Sequence, residues 1–445
     1  MKKLLIILFI AILPAITVAA PQSKAENIII LSIQHSVNGG DFLPKEALSI
    51  PLKRLKSDPL ALLQMIRKSL SKHLHTLPVQ INTNLELPYK LPALSIVTKV
   101  DKNSNGISDI KIPNHQFSTD KVALEWEGLS SHLTFTDNFI NLKADTDFDK
   151  LIISKTDKVL ILLKQTNIYS AFDSKFKPTK LTVNIPSIQA QKGESKLNLQ
   201  SFMTGFDIKK LTNGLEIGNL TVQLKHINFI ENKVKTGLKN LHLITDIQEL
   251  DEVINFNLKT ITDQVNLPMD VAAGLEDITQ AINISLLNLD SASLLALQNK
   301  FHKVHNSPMA MFIMLGEFME IAPDLLAKSP EIKLHQLLLQ TSKGKLQGNL
   351  TIGLDGKKAD SLAIPTLVRA LHAEGMVNID KELLNQIMIN QFQDSPDNAK
   401  VAAEEQIKSY LEKKILVEKN GDSYQIIAEF KNGKLFVNEQ EMPLP

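Results

Sequence analysis

Residues 101–109 read Asp-Lys-Asn-Ser-Asn-Gly-Ile-Ser-Asp. They place oxygen-bearing side chains, Asp101, Asn103, Asn105 and Asp109, at positions 1, 3, 5 and 9 of a calcium-type loop, with Gly106 at position 6. Alternate side chains of such a loop converge on one point, and a glycine lets the chain turn sharply. Position 12 is Ile112, where the loop needs a bidentate Glu. The flanking Ile96, Val100, Ile110 and Ile112 alternate as strands do, so an Asn/Asp/Gly hairpin loop is the preferred reading and calcium the sharper alternative.

Other side chains capable of chemistry are scattered. His302 and His305 lie three apart on an expected helix, and His73 and His75 lie two apart near a helix end. Two imidazoles are short of the three or four ligands a metal site takes, and no H-E-x-x-H motif accompanies them, so they read as solvated surface histidines. No G-x-S-x-G, Walker or G-x-G-x-x-G motif is present, which leaves hydrolase and nucleotide chemistry without a starting point and calls for no cofactor. Met309, Met311, Phe312, Ile313, Met314, Leu315, Phe318, Met319 and Ile321 are apolar nearly all round a helix. Flexible Met side chains suit an apolar groove, with Met309, Phe312, Ile313, Met314 and Phe318 lining it for a lipid; a helix buried on all sides is the plainer and preferred expectation.

The elements that would position these groups are mostly strands. A helix carrying Leu63, Ile66, Leu70 and Leu74, capped by Ser57 or Asp58 with Pro59 in its first turn, precedes a stretch from Leu77 to about Thr260 in which apolar residues recur every second position. Examples are Val79/Ile81, Ile96/Val100, Leu181/Val183/Ile185, Leu220/Val222/Leu224 and Ile254/Phe256/Leu258. This predicts an antiparallel meander. Asp290 caps a helix carrying Leu294, Leu297, Phe301 and Val304; a second runs from Met309 and is closed by Pro323. A hairpin turns at Ser342-Lys343-Gly344, a helix starts at Asp380, another spans Ala399 to Lys413, and a final hairpin turns at Asn432-Gly433.

Composition narrows the function. Forty-nine Lys and Arg against 48 Asp and Glu leave a net charge of +1, with no field to recruit phosphates, so no nucleic-acid partner is expected. Met1-Lys2-Lys3 followed by an apolar run to Ala20 has the form of an export signal. Cleavage after Ala20 or at a neighbouring small residue would release the chain to the periplasm or medium; retention would anchor it in the inner membrane. The chain has no cysteine, hence no disulfide, thiolate metal site or lipoprotein anchor, which fits a bacterial envelope.

Four segments, in this order, carry a resemblance: Trp126-Glu127-Gly128-Leu129, Leu287-Asn288-Leu289-Asp290 through Phe301, Ser329-Pro330-Glu331-Ile332 through Gly344-Lys345-Leu346 and Gly348, and Gly433-Lys434-Leu435-Phe436-Val437-Asn438. Together they resemble the YdgA-like family of bacterial envelope proteins, a domain of unknown function, over most of the chain after about Leu77. The resemblance implies export or N-terminal anchoring and much β-structure, and brings no catalytic residues. Glu439 departs from it, standing where the family continues Asn-Gly. The expected fold is α+β: a long curved antiparallel sheet (meander) with several helices packed on one face. Its segments are 1–25 (signal or anchor), 26–76 (mixed and helical), 77–265 (β-rich) and 266–445 (helices and hairpins). The expected role is non-enzymatic binding or scaffolding in the envelope, with a lipid or apolar ligand in a groove. The alternatives are a ligand-free structural partner of an envelope protein or of a second copy, and, third, an enzyme.

Overall fold

A computed structural model describes residues 28–443, except 52, 55–59, 88–90, 119–121, 137–139, 156–158, 175–176, 233, 269–273, 305–306, 360 and 393–395. The leader, the Ser57/Asp58 cap and His305 lie outside the described residues. The chain divides into two compact units, residues 1–207 with 224–233 and residues 208–223 with 234–445.

In the first unit, β1 (Ile28–Val37) pairs with β2 (Glu46–Pro51) and β3 (Val79–Glu86), with helix α1 (Leu60–Ser71) between them in sequence. β3, β4 (Leu94–Val100) and β5 (Gly106–Ile112) form a meander, and β5 then pairs with β8 (Leu129–Thr136). β6 (His115–Ser118) pairs with β7 (Val122–Glu127), and the long β9 (Ile140–Lys155) accepts β7 beside one half and β8 beside the other. β10 (Val159–Phe172), β11 (Pro178–Lys192) and β12 (Ser195–Lys210) continue by hairpins. Alternation puts Ile29, Leu31 and Ile33 of β1 and Ile81 and Leu85 of β3 into one core. Leu62, Ile66 and Leu70 of α1 join it, their spacing placing them on one helix face. Trp126 lies in the same core and donates its indole N–H to the Pro113 carbonyl at 2.9 Å. Gly128, at φ +64°, sits where a Cβ would run into the Asp149 carboxylate, so the β7–β8 turn needs a glycine.

The second unit holds part of β13 (Glu216–Glu231), then β14 (Val234–Leu250), β15 (Val253–Asn266) and β16 (Ile278–Asp290). Helices α2 (Ser291–Val304) and α3 (Ala310–Ala327) follow, then β17 (Glu331–Thr341), β18 (Gly344–Leu354), α4 (Ile364–Ala370) and β19 (Leu371–Asp380). Helices α5 (Lys381–Gln391) and α6 (Pro396–Glu412) precede β20 (Val417–Lys419), β21 (Ser423–Lys431), β22 (Lys434–Val437) and β23 (Gln440–Met442). Asp290 caps α2 as its spacing predicts, accepting from the Ser293 N–H at 2.7 Å. Asp380 begins α5 without a side-chain cap, its carboxylate accepting instead from the Lys345 N–H at 2.9 Å. Pro323 does not close α3, which runs on to Ala327.

The α+β expectation is overturned. Strand makes up 60% of the chain and helix 21%, a mostly β protein. Every strand pairing described is antiparallel, as the meander predicts. Alternation persists through strands as long as β14 (17 residues), leaving little chain for helices. Those that form pack mainly on one another, α2 with α3 and α5 with α6, rather than layering one face of the sheet.

Candidate functional site

Cross-strand partners share a sheet face, so the register of the second unit shows which side chains line up. One row runs Ile247, Phe256, Leu286, Ile332, Ile352, Ala373, Phe430, Leu435 and Met442 across nine strands from β14 to β23. The next runs Thr245, Leu258, Ile284, Leu334, Leu350, Gly375, Ala428 and Val437, and a third Leu243, Thr260, Ile282, Leu337, Gly348, Val377 and Ile426. No ionisable side chain interrupts these rows. None of the first row is buried, and Ile332 is 44% exposed. The fourth row, Gln280, Leu339, Leu346, Ile379 and Tyr424, meets a wall: Ile379 and Tyr424 are buried with Leu383 and Met388 of α5 and Ala403 and Ile407 of α6, and Ile426 at the end of the third row packs against the same cluster. At about 4.8 Å between strands and about 7 Å between rows, the open area is roughly 40 by 14 Å, or on the order of 500 Å². That is comparable to the largest apolar patch of a soluble monomer, which is often a functional surface.

The opposite face is polar. Asp246, Asn257, Ser285, Lys333, Thr351, Glu374 and Glu429 form the row behind the first. His335 enters it from a bulge: β17 pairs Gln336 with Asn283 and Leu334 with Ile284, leaving His335 without a partner on β16. Its Nε2 lies 2.7 Å from the Ser285 hydroxyl, which donates to Asn257 Oδ1 at 2.5 Å. With that proton committed, His335 Nε2 is the donor to Ser285, the reverse of a base activating a nucleophile, and Ser285 is buried. A cleft of about 370 Å³ above the row is lined by Ile244, Asp246, Asn257, Lys259, Asn283 and His335.

In the first unit a buried polar network gathers residues from four places in the chain. His35 of β1 lies 2.8 Å through Nδ1 from Thr83 of β3 and 2.8 Å through Nε2 from Ser69 of α1. Ser69 donates to Glu46 of β2 at 3.0 Å, and Glu46 holds Lys72 at 2.6 Å. The His73 ring packs against His35 at a tilt of 57°, with ring centroids 4.9 Å apart. Burial, aided by the charges of His73 and Lys72 and opposed by Glu46, lowers the His35 pKa to about 4. Burial likewise lowers that of His73, and the Lys72 hydrogen bond lowers that of Glu46. Of this set the sequence offered only His73, as half of a surface pair with His75; no local spacing signals side chains that meet across 48 residues.

Three of the four calcium-loop candidates stay together and the fourth is carried away. Asp101 Oδ1 accepts from the N–H groups of Asn103 at 2.7 Å and Asn105 at 3.0 Å, an Asx-type turn. Asp109 stands on β5 opposite His132, 2.7 Å from its Nδ1. Gly106 is the first residue of β5, where a Cβ would meet the Phe135 ring and the Lys99 carbonyl. Among the described residues no group of three or more His, Asp or Glu is placed to hold a metal ion.

The helical candidates also part company. Met309, Phe312 and Phe318 point outward, while Ile313 and Met314 are half-buried. The expected all-round burial of this helix is not met, because α3 is covered only toward its C-terminal half, at Ile321, Ala322 and Leu325. His302 sits in the last turn of α2.

A family described as "Bacterial protein of unknown function (DUF945)" matches residues 166–445. The chain belongs to this family. The DUF945 match begins within β10 and takes in the whole second unit, including the open apolar rows, the His335 bulge and α2 to α6. No curated protein and no solved structure matches the chain.

Proposed function

We propose that this DUF945 protein is a YdgA-like envelope protein, exported to the periplasm or held at the inner membrane by its leader, and that it binds lipid acyl chains without catalysing a reaction. The observation that carries the reading is the uncharged, half-open row from Ile247 to Met442 with its two neighbours, walled on one side by α5 and α6. Backbone groups inside the sheet are spent on neighbouring strands, so the face offers an occupant contact area and no hydrogen bonds, which suits a hydrocarbon chain better than a polar ligand. This reading places the lipid on the sheet rather than against Met309 and the α3 residues Phe312, Ile313, Met314 and Phe318, the alternative that the sequence offered.

The test is native mass spectrometry of the protein purified from a bacterial envelope, with organic extraction of bound material. The expected result is a stoichiometric lipid, lost in Ile332→Glu and retained in Thr351→Glu, a matched charge on the polar face. A clean ligand-free mass overturns the reading, and a dimeric mass abolished by Ile332→Glu replaces it with pairing of two copies through this face.

A further inference from the structure

We propose that the N-terminal half of α3 docks the protein on a membrane by inserting into the interface of a lipid bilayer. Met311, Leu315, Phe318, Ala322 and Leu325 follow one another at helical three- and four-residue spacing and form a single apolar stripe. The stripe is buried at Ala322 and Leu325 and emerges at Met311, Leu315 and Phe318, flanked by exposed Phe312 and Met319. The helix thus carries its core-forming face beyond the part of the unit that covers it.

Three features select the occupant. Met311 is 84% and Phe312 68% exposed, so these side chains stand proud of their neighbours on a convex ridge. Two such ridges from two copies would touch along a line, whereas fluid acyl chains close around a convex insertion. The one ionisable side chain from Met309 to Met319 is Glu317, which is turned inward and held by Lys300 of α2 at 2.7 Å. No unpaired charge therefore has to enter the interface with the stripe. Glu320 and Asp324 fall on the other side of the helix, and the last turn of α2 contributes an exposed Phe301 beside His302 and Lys303. Across α2, α3 and Lys328 the lysines (Lys300, Lys303, Lys328) equal the acids (Glu317, Glu320, Asp324) in number, so insertion is governed by apolar contact and depends little on headgroup charge. This inference stands apart from lipid binding on the sheet: a protein that carries no lipid would still dock, and one that fails to dock could still hold lipid.

The absence of cysteine makes the test direct. Single cysteines introduced as Met311→Cys, Met319→Cys and Glu320→Cys in the full chain are labelled with a solvatochromic dye and mixed with phosphatidylcholine vesicles, with or without phosphatidylglycerol. The expected result is a blue shift at 311 and 319 with either vesicle, quenching there by acyl-brominated lipid, and unchanged emission at 320. Unchanged emission at 311 and 319 overturns the proposal even if a leader tethers the protein to the vesicle. A blue shift that grows with protein concentration in the absence of vesicles also overturns it, in favour of a second copy.

Discussion

His35→Gln is expected to flatten the acid sensitivity of the first unit. The His35 ring is 3% exposed, with both nitrogens engaged, and its pKa falls from 6.5 to about 4. The folded pKa lies below the unfolded one, so between these values the unfolded chain takes up a proton that the folded chain refuses. Stability is therefore full above pH 6.5 and declines as pH falls toward 4. Two and a half units at 1.36 kcal/mol each bound the loss at about 3 kcal/mol; about 2 kcal/mol of it has gone by pH 5. The lowered values of His73 and Glu46 act in the same sense, Glu46 chiefly below pH 4.5, and both remain in the variant. The single tryptophan, Trp126, is buried in the core of this unit, so its fluorescence during urea unfolding reports on that unit. With a slope of about 2 kcal/mol per molar urea, the wild-type midpoint should fall by roughly 1 M between pH 7 and pH 5. The variant should begin about 1 to 2 kcal/mol less stable at pH 7, having disturbed hydrogen bonds to Ser69 and Thr83, and should lose much less on acidification. Parallel losses in the two proteins would refute the assignment of the pH dependence to His35.

Asp290→Ala should cost about 1 kcal/mol in the second unit by removing the cap on the Ser293 N–H, detectable as a lower denaturation midpoint by far-ultraviolet circular dichroism. Glu439 adopts φ 68° in the turn between β22 and β23, beside Asn438 at φ 45°. Glu439→Gly should therefore stabilise the terminal strands by about 1 kcal/mol, seen as slower amide exchange at Phe436 and Val437, whereas Asn438→Ala should accelerate it because that side chain bonds Ile427, Lys414 and Ile415.

Features written in adjacent residues were legible in the sequence. Asn432-Gly433 turns the β21–β22 hairpin with both residues at positive φ, although the chain goes on to one more turn and β23; Asp290 caps its helix, and period-two alternation marks the strands. Alternation says that Leu337 and Leu339 share a face and would put Leu334, three residues from Leu337, on the other; the bulge at His335 brings Leu334 to their side, and register alone sets Ile284, Leu350 and Gly348 beside them. Nor does apolarity tell whether a face is covered. The stretch from Met309 to Met319 has the composition of a core helix, yet Ile313 and Met314 are no more than half-buried and full burial begins only beyond it, at Ile321, Ala322 and Leu325. The α+β expectation failed for a related reason: the sequence predicts helices near where α1, α2, α3, α5 and α6 lie, though not at α4 and not past Pro323, but they are few beside strands of up to 17 residues, and α2 with α3 and α5 with α6 pair off with each other. The His35 network joins four separate elements through side chains that, taken singly, resemble ordinary surface residues.

From β14 to β19 each strand pairs with its neighbour in sequence, even where two helices intervene before β17. Such a stack has few distant contacts for the chain to find during folding, so it can form hairpin by hairpin from any starting point, with growth limited by the weakest junction. The junction of β16 with β17 spans the α2–α3 insertion and is the one whose loop is costliest to close. A proline in the middle of β16 should therefore divide the array into two partly independent folding segments, giving this protein a natural fault line at the root of its helical arm.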